Sequence, residues 1–180
     1  MRFAPLPLDG AFRIDLERRG DNRGSFARMF CREEFRAFGL NETWSQCNVS
    51  HSVLKGTLRG MHFQRPPKAD AKLVKCMAGA VFDVIVDLRR GSAAFGRWAS
   101  VTLTAEGGEM IYIPKGFAHG FQTLTDDAEL LYFHSDSYSP ENEGGLFHSD
   151  PEVGITWPLP VTNLSERDRT LPPLSKVDPI

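Results

Sequence analysis

The sequence contains no apolar run approaching the roughly 20 residues that a membrane-spanning helix needs, so no transmembrane segment is expected. It is also poor in cysteine. Only Cys31, Cys47 and Cys76 occur among 180 residues, and no two form a CxxC pair. An odd, scattered set excludes a disulfide framework and a zinc knuckle, and the three are read as small hydrophobic fillers. Neither sign of charge dominates: 21 Lys and Arg stand against 23 Asp and Glu, a formal net charge of −2. That balance excludes a protein that holds nucleic acid or an anionic membrane by bulk charge. The N-terminal stretch MRFAPLPLDG has no apolar core and carries two prolines, so it does not read as a secretion signal and the cytoplasm is the expected compartment. No internal repeat, low-complexity tract or linker is visible, so residues 1–180 are read as one domain.

Turn formers and short apolar segments are abundant. Sixteen glycines and 12 prolines suit many short strands joined by tight turns. In Ala11–Leu16, Phe12, Ile14 and Leu16 share one face and Arg13 and Asp15 the other. In Ala80–Leu88, Phe82, Val84 and Val86 oppose Val81, Asp83, Ile85 and Asp87, the pattern of a strand buried on both sides. Leu73–Met77, Trp98–Leu103, Met110–Ile113, Gly120–Thr125 and Leu130–Phe133 are further candidates, separated by turn signals such as Glu106-Gly107-Gly108 and Pro114-Lys115-Gly116. One helix is expected in Cys31–Gly39, where Phe35 and Phe38 share a face before a glycine stop. The sum is an all-β chain with a few short helices, an antiparallel sandwich or barrel with its core in about residues 45–135. A Pro-rich segment, 158–180, is expected to wrap its surface.

Two segments carry chemistry. The first begins GTLRGMHFQRPP at Gly56, and the second is GGEMIYIPKGFAHGFQT, Gly107–Thr123. Their spacing resembles the two motifs of the cupin jelly-roll barrels, with Gly108, Pro114, Gly116 and His119 at the second motif's positions. Metal-binding cupins supply HxH and a Glu from the first motif. Here His62 is followed by Gln64, and no Glu lies between His62 and Gly79. Two imidazoles are a poor site for a transition metal, so a pocket with neither metal nor cofactor is expected. His62 is then available as a base, with Asp168 a candidate for the carboxylate that orients it. By composition alone His51, His134 and His148 read as structural or surface groups.

A longer set of segments runs in order along the chain: DNRGSF, SQCNVSHSVLKGTLRGMHFQRPP, KLVKCMAGAVFDVIVDLRRGSAAFGRW, IPKGFAHGFQ, LYFHSDSYSPENEGG, SDPEVGITWP and LSERD. Together they resemble the dTDP-4-dehydrorhamnose 3,5-epimerase family of sugar-nucleotide epimerases. The resemblance implies a cupin-type jelly roll and a nucleotide-linked 4-keto-6-deoxy sugar as substrate. It implies His62 as the base, Asp168 as its partner, Tyr132 as the acid on the opposite face, and Lys72 beside the enolate oxygen. It also implies that Arg23 and Arg59 hold the diphosphate, Gln46 and Asn48 act as polar contacts, His119 lines the sugar pocket, and Phe26 and Tyr138 flank the nucleobase. Arg23 and Phe26 would reach into the neighbouring subunit of a homodimer.

Some positions depart from the family. Where it has a second aromatic and then a Glu that contacts thymine, this chain has Ser25, Phe26, Ala27 and Arg28, reversing charge beside the nucleobase. Phe133 stands where a Lys often follows the tyrosine, and Phe147-His148-Ser149-Asp150-Pro151 replaces a Trp-led motif. Three alternatives stay open at this point. One is a mono-epimerase acting on a GDP- or CDP-linked sugar, another a non-catalytic sugar-nucleotide-binding barrel, and the third a metal-dependent cupin.

Overall fold

The alternation in Ala80–Asp87 is realised as a strand with two buried faces. A computed structural model describes residues 1–180, and this strand is the eighth of thirteen. In chain order they are β1 (Arg2–Pro5), β2 (Phe12–Asp15), β3 (Arg19–Asp21), β4 (Gly24–Phe26), β5 (Gln46–Ser52), β6 (Leu58–Gln64) and β7 (Lys72–Ala78). There follow β8 (Ala80–Asp87), β9 (Trp98–Thr104), β10 (Glu109–Ile113), β11 (Phe117–Thr123), β12 (Ala128–His134) and β13 (Glu143–Gly145). Two short helices, α1 (Arg32–Ala37) and α2 (Glu166–Arg169), complete the regular structure. No helix is long and apolar enough to cross a membrane.

Two antiparallel sheets pack face to face as a cupin-type jelly roll. One has the order β1-β2-β10-β7-β12-β5 and the other β13-β6-β11-β8-β9, while β3 and β4 form a separate hairpin. The interior is apolar where the strand pattern is cleanest. Val74, Ile111 and Leu130 from the first sheet meet Val81, Ile85, Leu103 and Phe121 from the second. Burial of such side chains contributes about 1.5–3 kcal/mol each.

Each outer face has its own cover. The N-terminal part lays Phe35 of α1 over Ile14, Leu73, Met110 and Tyr112 of the six-stranded sheet. The C-terminal segment lays Val153, Leu174 and Val177 over Met61, Val84 and Val86 of the five-stranded sheet. The expected helix is present, shortened to Arg32–Ala37.

Several sequence expectations are corrected. The strand expected over Gly120–Thr125 is Phe117–Thr123, because Phe117, His119 and Phe121 alternate inward and a polar imidazole takes part in the buried face. Strands β1, β3, β4, β5, β6 and β13 were not expected, since they are short or mix prolines, glycines and polar groups with apolar residues. Of the three free cysteines only Cys76 is a core filler; Cys47 is exposed on β5.

Candidate active site

Arg59 and His62 are three residues apart on β6, which in a regular strand would put them on opposite faces. Pairing with β11 runs His119 to His62 and then Phe121 to Arg59, so β6 holds one residue more than its partner. This bulge turns both side chains into one cavity between the sheets. Gly60 makes the close approach possible. Its φ is +116°, and a Cβ there would lie 2.7 Å from the Gly120 Cα and the His119 carbonyl oxygen.

The cavity has a volume of about 720 Å³ and is lined from both sheets and from the C-terminal segment. Nε2 of His62 lies 2.8 Å from Oδ1 of Asp168, and the other carboxylate oxygen accepts the Gly60 N–H at 3.1 Å. Ser165 caps α2 by accepting the Asp168 N–H at 3.0 Å, which fixes the acid at the end of a four-residue helix. Burial pushes the Asp168 carboxyl up, but the His62 and Gly60 hydrogen bonds outweigh it and hold the group below the usual carboxylate range. The imidazole's Nδ1 is left to face the cavity.

A second pair stands on the neighbouring strands. Nε2 of His119 lies 2.9 Å from Oδ2 of Asp83 on β8. Asp83 is fully buried and its Oδ1 has no partner, so burial raises its pKa despite the charges of His119 and Lys72. Asp83 was placed by the sequence only as one position on a strand face. A carboxylate inside VFDVIV was the signal available, since an acid is seldom buried without a polar task.

The six-stranded sheet supplies the opposite wall. Tyr132 on β12 is half-buried against the core and lines the cavity, and its hydroxyl lies 3.1 Å from the Ser50 Oγ on β5. Burial is the chief cause of its raised pKa. Lys72 on β7 is 9% exposed, so it is a buried cation rather than a surface lysine. His134, read as a structural or surface group, lines the cavity, with Nδ1 2.8 Å from Oδ2 of the buried Asp70.

At the mouth, Gln46 donates to Asn48 at 3.1 Å and accepts the Tyr138 N–H at 3.0 Å. The Tyr138 hydroxyl donates to Glu143 at 2.8 Å, and Arg167 pairs with the same carboxylate at 2.6 Å. Glu143, Arg167, Ser50 and Asp70 were not singled out in the sequence, because polar residues in loops and edge strands carry no periodic signal. Arg59 donates to the Ser52 hydroxyl and the His51 carbonyl. Thus His62, Lys72, Tyr132, Asp168, Arg59, His119, Gln46, Asn48 and Tyr138 all line one cavity. Arg23 and Phe26 do not. They sit on the β3–β4 hairpin, where Phe26 is 76% exposed and Arg23 pairs only with Asp21. Arg28 is paired with Glu34 at 2.7 Å. No group of three or more His, Cys, Asp or Glu side chains is arranged to hold a metal ion.

Comparison with known proteins identifies the family and the fold. The family model for dTDP-4-dehydrorhamnose 3,5-epimerase matches residues 5–176. A dTDP-4-dehydrorhamnose 3,5-epimerase of Methanothermobacter thermautotrophicus is 43% identical over 176 residues, covering 96% of this chain and 94% of the relative. A dTDP-4-dehydrorhamnose 3-epimerase of Streptomyces niveus is 41% identical over 170 residues, covering 94% and 82%. The crystal structure of the Legionella pneumophila dTDP-6-deoxy-D-glucose-3,5-epimerase, in complex with dTDP-4-keto-L-rhamnose, superposes with a TM-score of 0.92 at 37% identity, covering 98% and 94%. By sequence over nearly its whole length, and by fold, the chain belongs to the dTDP-4-dehydrorhamnose 3,5-epimerase family of isomerases.

Proposed function

We propose that this protein epimerises C3 and C5 of a dTDP-linked 4-keto-6-deoxyhexose in deoxysugar biosynthesis, with His62 as base and Tyr132 as acid. The observation that carries this reading is the His62–Asp168 pair, 2.8 Å apart, facing one cavity with Tyr132 and Lys72. The 4-keto group acidifies the neighbouring C–H bonds. Nδ1 of His62 takes a proton, and the electron pair moves onto the ketone oxygen as an enolate. Asp168 stabilises the imidazolium that forms. The buried Lys72 ammonium offsets the enolate charge, an interaction stronger in the transition state than with the neutral ketone. Tyr132 then donates its phenolic proton from the opposite sheet, which inverts the carbon. Its raised pKa keeps that proton in place at neutral pH. One proton leaves and one returns, so no electron acceptor is required.

Arg59, with Gln46 and Asn48, is assigned to the diphosphate end of the site, His119 to the sugar, and Tyr138 to the base. Arg23 and Phe26 are assigned to the cavity of a partner subunit. Their exposure on the hairpin supports this, as does the free edge of β5, where Val49 is 65% exposed and a second sheet can be continued. Three free thiols suit the reducing cytoplasm as the compartment.

The test is incubation with a dTDP-4-keto-6-deoxyglucose substrate in deuterium oxide, read by NMR. Label and inversion at both carbons are expected. Label at one carbon alone makes the protein a mono-epimerase, and label at neither removes the epimerase reading. Thermal shift with dTDP, GDP, CDP and UDP reads the nucleotide, with the largest stabilisation expected for dTDP.

A further inference from the structure

Each inversion leaves Tyr132 without its proton, and the next turnover needs that proton back. Tyrosinate is a high-energy species in this position, because the hydroxyl of the half-buried phenol meets only the neutral Ser50 hydroxyl at 3.1 Å. A titratable group on the cavity wall beside the phenol can return that proton. Two imidazoles flank the ring. His119 meets it edge-on at 6.2 Å, but is 6% exposed and its Nε2 is engaged by Asp83. His134 lies nearly parallel to it, with centroids 5.9 Å apart and planes at 20°. Its side chain is 19% exposed and lines the cavity beside the phenol.

His134 is held as a proton carrier should be. Its Nδ1 is fixed on Asp70 at 2.8 Å, and the Asp70 side chain is 4% exposed. With Nδ1 committed, Nε2 is the nitrogen free to gain and lose a proton. The charged groups around it are accounted for. Lys72 is its cross-strand neighbour on β7 and its charge helps hold Asp70 ionised, while Asp136 at the cavity wall is tied to Lys68 at 2.9 Å.

We infer that the His134–Asp70 pair reloads Tyr132 between turnovers, passing a solvent proton from Nε2 of His134 to the phenolate oxygen. This rests on Tyr132 being the acid of the proposed epimerisation. The step balances: imidazolium and phenolate become imidazole and phenol, directly or through one water, and the imidazole recovers its proton from solvent. Asp70 stays ionised throughout and stabilises the imidazolium. His134 thus acts through Tyr132 and not on the sugar.

The test separates the first turnover from the later ones. Rapid-quench measurement with His134→Gln and Asp70→Asn, each checked for wild-type melting, counts inversions per site. Tyr132 starts protonated, so the first inversion is expected at the wild-type rate. Later inversions should slow on the order of 100-fold in His134→Gln, the scale of one positioned proton-transfer group, and about tenfold in Asp70→Asn. Deuterium exchange through His62 continues meanwhile, so exchange outruns inversion. A first inversion slowed as much as the later ones makes the pair structural and overturns the relay. So do steady-state rates equal to wild type, or failure of both variants to fold. If wild-type protein itself neither exchanges nor inverts, the epimerase reading falls and the relay with it; an active wild type with a burst-free His134→Gln removes the relay alone.

Discussion

The two walls of the cavity hold similar residues to different ends. On the five-stranded sheet, His62 and His119 are cross-strand neighbours, and each is bonded to an aspartate. On the six-stranded sheet, Tyr132 and Lys72 line the cavity and a third imidazole stands beside the phenol. Even the two pairs on the first wall differ. Both Asp168 oxygens accept hydrogen bonds and the acid is held low; Asp83 has one oxygen unpartnered and is pushed up. The same residue type therefore arrives at opposite titration behaviour: complete burial raises Asp83, while hydrogen bonds to both oxygens outweigh burial at Asp168. A wall with an ionised, doubly bonded acid behind its histidine is suited to removing a proton. A wall with a half-buried phenol and a buried lysine facing the same cavity is suited to returning one and holding the charge in between.

The sharpest break of this division is His62→Ala. It should abolish deuterium exchange at both carbons with the fold intact, as checked by NMR and circular dichroism; substantial residual exchange would mean that another group is the base. Asp168→Asn should cost about 1,000-fold in exchange. The same residue makes a pH prediction. Its folded-state pKa lies below the usual value, so its stabilisation is present above pH about 4 and is lost as pH falls through the folded pKa. The melting-temperature gap between wild type and Asp168→Asn should narrow on acidification below that point, and a constant gap would contradict the assignment.

Tyr132→Phe reads the other wall. Inversion should fall about 100-fold while exchange falls less than about tenfold, and equal losses would erase the division between the walls. The smallest effect is expected for Asp83→Asn, less than about tenfold in exchange, since burial already disfavours its charge. A loss as large as that of Asp168→Asn would show that the two pairs are equivalent after all.

The core was readable because its strands alternate cleanly. Val81 and Ile85 face inward and Val84 and Val86 outward, as the period of two requires. The strands that carry the site were not. In β6 the bulge breaks the period, so Arg59 and His62 share a face that alternation denies them. In β5, polar Gln46, Asn48 and Ser50 serve the cavity and leave no apolar stripe. His134 looked like a surface residue because its partner, Asp70, is 64 positions away.

By itself the sequence determined an all-β chain of short strands, the family it belongs to, and most of the polar residues proposed for the site. Those follow from local period, turn chemistry and motif order. The resemblance already paired Asp168 with His62; only the tertiary structure gave that pair its geometry and set Asp83 against His119. Asp168 reaches His62 across 106 positions and Asp83 reaches His119 across 36. Such pairings depend on strand register, on one bulge at Gly60, and on a C-terminal segment that packs over the five-stranded sheet. None of these leaves a local trace, because a hydrogen bond between distant residues is set by the three-dimensional path of the chain between them.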